Sequence, residues 1–171
     1  VKQPVLEVWR HRHPRFVASH PMAGTAAAGV DAGQRGLFMQ RPWIATPDAT
    51  TDPQALSLVH SLATSLGSHW VTAAADHHDQ AVALISHLPV LVSAALLRAA
   101  GDERDPAVRQ LAMTLASSGF ADTSRVGGGN PDLGVAMASS NTDAVLLGLA
   151  AYRWSLEQLE EAVLNGNWAQ L

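Results

Sequence analysis

Four segments of this chain carry residue types that can do chemistry. Residues 19–24 read SHPMAG and put His20 at the end of a β-like run, directly before a proline and a glycine-rich loop. Ligands of α/β sheets bind outside the carboxyl ends of strands, so a histidine there can meet a substrate as acid or base near neutral pH. The alternative is a structural histidine held by hydrogen bonds. Residues 76–79 read DHHD. Neighbouring histidines on a helix point about 100° apart, whereas a helical metal pair needs i, i+3 or i, i+4 spacing. Asp76 and Asp79 meet that spacing, but a carboxylate pair at a helix start first complements the helix dipole.

The third segment, Ser86-His87-Leu88-Pro89, lies in an apolar helical run, where Asp79 and Ser86 share a face seven positions apart. Polar residues there are expensive unless paired or used, and a backbone carbonyl freed by Pro89 is one available partner. The fourth, residues 120–131 (FADTSRVGGGNP), joins two helical runs through a triple glycine. Arg125 stands there among small polar residues, which suits a guanidinium fork aimed at a carboxylate, or a surface arginine on a loop. Neither these glycines nor Gly29, Gly33 and Gly36 have dinucleotide-fingerprint spacing. The basic run 10–15 (RHRHPR) could attract an anion, but cations near a helix end explain it more simply. The HHD run is similar to the paired His-Asp of metal-dependent phosphohydrolases, although the further histidine and aspartate those enzymes need have no identifiable counterpart.

These residues must be positioned by two kinds of architecture. Residues 15–19 (RFVAS), 43–46 (WIAT) and 69–73 (HWVTA) read as short strands, and a helix opening at Asp52-Pro53 and stopped by Gly67 separates the last two. Strand, helix, strand is a piece of a parallel α/β sheet. From residue 74 onward only helical patterns remain. One helix is expected from Asp76 to about residue 100, kinked near Ile85 by Pro89. Others open at Asp105-Pro106 and Asn130-Pro131. In the last helix Val145, Leu149, Tyr152, Leu156, Leu159 and Val163 alternate in steps of four and three, an a/d seam for its own core or for a second helix.

Composition narrows the classes. The 171 residues make one medium domain or two small ones, and the net charge of −4 argues against nucleic acid or a polybasic membrane contact. The absence of cysteine excludes disulfides and thiolate chemistry. Lys2, Glu7 and Arg10 interrupt any leader-like apolar core, and the apolar run 81–97 is shorter than the roughly 20 residues of a membrane span. A cytoplasmic setting is expected. Charged residues are only 15% of the chain, against about 25% in an average domain, which implies either an unusually polar-neutral surface or surface hidden against a partner.

The order SHPMAGTAAAG, then LF and WIATP, then HDQAVALISHLP, then GFADTSRVGGGNP closely resembles the prephenate/arogenate dehydrogenase family of tyrosine biosynthesis, over essentially the whole chain. The resemblance implies an α/β remnant of a Rossmann-type nucleotide-binding domain over residues 1–73, followed by an all-α dimerisation and substrate domain over 74–171. It implies an oxidoreductase that removes hydride from the carbon bearing the ring hydroxyl and carbon dioxide from the opposite ring carbon. By motif, His20 corresponds to the catalytic histidine, Arg125 to the arginine that binds a substrate carboxylate, and Ser86 to a serine lining the pocket with His87 beside it. Thr25 joins the substrate-binding group, a nicotinamide cofactor is required, and a homodimer through the helical domain is implied; no metal is expected.

Several positions depart from the prephenate-using pattern. Val90 stands where SHLPH has a second histidine, Ala26 where a glutamate is common, and Gly134 where a tryptophan follows the arginine loop. These departures resemble the arogenate-using branch, which is often NADP-dependent; prephenate with NAD stays open, as does a catalytically silent helical dimerisation module. The family's glycine-rich first βα turn has no counterpart here, so the chain is expected to be a fragment that binds NADP poorly by itself.

Overall fold

In the computed structural model, which describes residues 1–24 and 29–171, the first helix α1 (Gln3–Trp9) carries a proline in its opening turn, where a missing N–H costs nothing. Thr25 and Ala26 lie outside the described residues. Contacts divide the chain into two units, Val1–Asp79 and Gln80–Leu171.

In the first unit three strands form one sheet in the order β1 (Ser19–Pro21), β2 (Pro42–Ala45), β3 (His69–Thr72). β2 and β3 run parallel, with Trp43 opposite Trp70, and α2 (Pro53–Ser65) makes the crossover. β1 is antiparallel to β2, with His20 opposite Ile44. The strand expected over 15–19 is displaced. Phe16 instead closes a turn onto the His13 carbonyl and stacks on Trp9 at 5.7 Å, so the chain first meets the β2 segment at Ala18, whose carbonyl accepts from the Thr46 N–H, and the strand runs from Ser19 with His20 inside it. Pro21 is tolerated because β1 is an edge strand. α2 begins as its sequence predicts: the Asp52 carboxylate accepts from the Ala55 N–H at 2.6 Å, and Gly67 ends the segment at φ 76°. Leu6, Ala18, Trp43, Ala45, Ala55 and Ala63 form the core.

α3 (Ala75–Val82) leads into the second unit. It opens at Ala75, so Asp76 lies in the first turn rather than at the cap. The expected kink takes a different form. Pro89 cannot donate to the Ile85 carbonyl, and the helix widens into a π segment over Ala83–His87, with the Leu88 N–H bonded to the Ala83 carbonyl, before α4 (Leu88–Gly101) resumes. Residues 75–101 thus form a 27-residue element. Its length and apolar character would suffice for a membrane span, contrary to the shorter run read from sequence. Two of its polar side chains, His87 and Ser93, are buried and bonded within this helical unit, as a core helix requires.

α5 (Pro106–Leu115) and α7 (Pro131–Ser140) start at Asp105-Pro106 and Asn130-Pro131, each capped by its own side chain. Between them the expected loop contains a further helix, α6 (Ser118–Ser124). A 101° bend at Asn141 leads into α8 (Thr142–Leu164). Along the predicted seam of α8, Val145 is buried, while Leu156, Leu159 and Val163 are exposed.

Candidate active site

His20 reaches its neighbours because α3 follows directly on β3. Its Nδ1 lies 2.9 Å from His78 Nε2, and the two rings meet edge-on with centroids 5.2 Å apart. His78 Nδ1 in turn lies 2.8 Å from Asp79 Oδ1. His78 and Asp79 are buried, while His77 is exposed. The helical rotation between neighbours turns one histidine of the pair inward, and packing selects the second.

Asp79 also holds the start of α1. The Lys2 N–H donates to its Oδ1 at 2.7 Å, and the Gln3 N–H and the Val1 nitrogen donate to its Oδ2, each at 3.0 Å. Lys2, the capping residue, supplies no side-chain cap of its own, so a carboxylate 76 positions from Gln3 does that work. Burial pushes the Asp79 carboxyl up, but the N–H groups of Lys2 and Gln3, the His78 ring and the Val1 nitrogen outweigh it and hold its pKa at about 2. A depressed carboxyl stabilises the fold above its unfolded pKa, and that contribution disappears as pH falls through the folded value. The first unit should therefore lose on the order of 1–2 kcal/mol between about pH 4 and pH 2. In urea titrations Asp79→Asn should lose a similar amount at pH 6 and show a flatter pH dependence; parallel wild-type and variant curves would contradict this.

The remaining sequence candidates belong to the second unit. Ser86 is half-buried in the π segment, and His87 is buried with its Nδ1 3.3 Å from Asn141 Nδ2, at the bend before α8. Arg125 follows the last turn of α6 in right-handed helical conformation, and its side chain is exposed. Its turn is fastened to α4 by Ser93, whose Oγ donates to the Thr123 carbonyl at 2.8 Å and accepts from the Gly127 N–H at 2.9 Å. Sequence reasoning missed His78 as the partner of His20, missed Asn141, and read Gly127 only as part of a connecting glycine run, without its contact to Ser93. The only signal for His78 was the HHD run. Ser93 was visible as a lone hydroxyl in an apolar helix. Among the described residues no group of three or more His, Asp or Glu side chains is placed to hold a metal ion.

Residues 1–72 match the family model described as prephenate dehydrogenase, nucleotide-binding domain, and residues 74–171 match prephenate dehydrogenase, dimerization domain. The chain belongs to the prephenate dehydrogenase family. Among its relatives, cyclohexadienyl dehydrogenase of Zymomonas mobilis is 33% identical over 167 residues, which are 96% of this chain and 57% of that protein. The crystal structure of Synechocystis arogenate dehydrogenase superposes with TM-score 0.87 at 46% identity, covering all of this chain and 60% of that one. Prephenate dehydrogenase of Aquifex aeolicus, solved with hydroxyphenyl propionate and NAD+, superposes with TM-score 0.88 at 26% identity over 95% of this chain and 56% of that one. The chain thus spans under two thirds of the length of each of these relatives.

Members of the prephenate dehydrogenase family that bind a dinucleotide need a helix start with unoccupied N–H groups for its pyrophosphate. Here the first amides of α1 are held by Asp79, α2 is capped by Asp52, and α3 carries Asp76 in its first turn. Each described helix start in the first unit already has a carboxylate, which would repel phosphate. Among the described residues of the first unit no helix start is therefore left open to a pyrophosphate, while the match to the nucleotide-binding domain supports a nicotinamide cofactor.

Proposed function

We propose that this chain serves the oxidative decarboxylation of L-arogenate to L-tyrosine, with His20 as the base at the ring hydroxyl and Arg125 as the clamp on a substrate carboxylate. The observation that carries this reading is His20 itself. It stands on an edge strand of the nucleotide-binding part of a prephenate dehydrogenase family chain, with one ring nitrogen tied to a buried His-Asp pair. A nicotinamide, NADP in this reading, supplies the hydride acceptor when bound, and this chain contributes the base and the clamp. His20 takes the hydroxyl proton as the ring carbon becomes a carbonyl, and loss of carbon dioxide then yields the aromatic ring. Ser86 and His87 line the substrate pocket, and Thr25 is assigned to it on motif alone.

The preference for arogenate rests on Val90 and Gly134. A Cβ placed on Gly134 would lie 3.8 Å from Val90 Cγ1, so the two departures from the prephenate pattern make one small apolar patch where that pattern has a histidine and a tryptophan. The deciding experiment compares kcat/KM for the two substrates. Arogenate should be favoured by about tenfold or more, and a preference for prephenate would reverse the assignment. Arg125→Lys keeps the charge but loses the planar fork, so KM should rise about tenfold with a smaller change in kcat; an unchanged KM would remove Arg125 from the carboxylate.

The same reading makes the chain a cytoplasmic homodimer, with residues 1–73 as the tail of the nucleotide-binding part and 74–171 as the dimerisation part. Supporting it, Leu91 and Val92 of α4 and Leu146, Leu149, Tyr152 and Leu156 of α8 line an apolar groove, and Leu147, Trp154, Leu159 and Val163 are exposed along α8. Sedimentation should show a dimer.

A further inference from the structure

An ionised carboxylate can only accept hydrogen bonds, and Asp79 is ionised at neutral pH because four contacts from the Lys2 and Gln3 N–H groups and the Val1 nitrogen converge on it. The hydrogen between Asp79 Oδ1 and His78 Nδ1 therefore belongs to the imidazole. A neutral His78 protonated on Nδ1 presents a lone pair on Nε2, and that atom faces His20 Nδ1 at 2.9 Å. His20 must then be the donor, with its proton on Nδ1 and its lone pair on Nε2. Free histidine in water prefers the opposite tautomer, with the proton on Nε2, a form that would offer a substrate hydroxyl a donor in place of an acceptor.

We infer that His78 and Asp79 are positioning residues that hold His20 in the tautomer a base requires, through a relay running from Asp79 to His78 to His20. The inference rests on the reading of His20 as the base. The burial of the pair supports it: with His78 only 2% and Asp79 only 6% exposed, a polar relay inside the unit is costlier than an apolar pair of the same size. The edge-on ring geometry aims nitrogen at nitrogen, where a packing role alone would be met as well by stacked faces. The carboxylate cannot rotate away, because its Oδ2 is held by the Gln3 N–H and the Val1 nitrogen while its Oδ1 serves His78. One aspartate thus fixes both the start of α1 and the proton position on His20.

The test is long-range 1H–15N NMR of the histidine rings in the full chain at neutral pH, together with turnover. The wild type should show Nδ1–H on both His20 and His78; Nε2–H on His20 would overturn the relay whatever the variants do. In His78→Phe, His20 should shift toward Nε2–H. In His78→Gln, whose amide oxygen can accept from His20, the Nδ1–H form should persist. In turnover His78→Phe should lower kcat about 10- to 100-fold with little change in KM, and His78→Gln should recover most of it. Equal kcat in the two variants, or a His20 tautomer indifferent to His78, rejects the positioning role. The NMR arm needs no catalysis, so a failure of His20 as the base would appear separately, as an unchanged kcat in a His20 variant whose wild-type parent keeps the tautomer pattern.

Discussion

Replacing His20 with asparagine should lower kcat by about 10²- to 10⁴-fold, the usual contribution of a positioned acid or base, while KM changes modestly. The asymmetry follows from when the interaction matters. The hydroxyl of the bound substrate makes an ordinary hydrogen bond in the ground state, but in the transition state its proton is moving onto the ring nitrogen, so loss of that atom raises the barrier more than it weakens binding. That range of rates corresponds to about 3–5 kcal/mol. Asparagine is the informative choice because its amide nitrogen lies near the position of Nδ1 and can still donate to His78 Nε2, 2.9 Å away in the wild type. The buried pair keeps its partner and the fold is spared, so the loss is confined to the Nε2 position. Steady-state kinetics with either substrate reads the effect, and an unchanged kcat would remove His20 from the chemistry.

Gly127→Ala should be the most destabilising small substitution in the helical unit. Gly127 does not have a positive φ, so its backbone would accept alanine. The obstacle is space: a Cβ there would overlap the Ala94 nitrogen and the Ser93 carbonyl carbon and lie 2.8 Å from Ala94 Cα. All three are main-chain atoms of α4, which cannot step aside as a side-chain tip can. Moving the turn away would break the Gly127 N–H bond to Ser93 Oγ and carry Arg125 with it. A loss of about 3 kcal/mol is expected, the upper end of overpacking penalties, out of a total stability of about 5–15 kcal/mol. The adjacent glycines provide the control. At Gly128 the nearest atom to a Cβ is Leu97 Cδ1 at 3.7 Å, ordinary contact, and at Gly129 it is the Val126 carbonyl oxygen at 3.3 Å. Urea midpoints should fall sharply for the first glycine, scarcely for the second and slightly for the third; equal effects across the three would show that loop flexibility, not close approach, is what the run provides.

The features legible in the sequence are those decided within a few residues. Helix starts at Asp52-Pro53, Asp105-Pro106 and Asn130-Pro131 are readable because a capping side chain and a following proline act on adjacent backbone groups. The stop at Gly67 is readable too, because a left-handed residue needs only its own lack of a Cβ. The motif order is also enough to identify the family, with its α/β part followed by helices. The first strand falls elsewhere than the sequence pattern puts it because strand pairing is a long-range choice: Phe16 has a stacking partner in Trp9, and only Ser19–Pro21 finds one in β2. α6 reads as loop because its seven residues, rich in serine and glycine, carry little helical propensity and owe their form to packing on α4.

The candidate site divides along the same line. Residue type and local order single out His20, Ser86, His87 and Arg125, since an imidazole before a proline or a guanidinium beside a triple glycine has its chemistry whatever surrounds it. Which histidine of the HHD run turns inward, which carboxylate meets it and where its proton sits depend on atoms 58 positions away in sequence, and tautomers answer to distance and direction alone. The seat of Arg125 depends likewise on a serine 30 residues from Thr123 and on a glycine whose missing side chain lets two backbones touch. The sequence by itself determined which groups could react. Tertiary structure decided which of them are held, because hydrogen-bond partners and steric clearances exist only once distant segments are brought within a few ångströms.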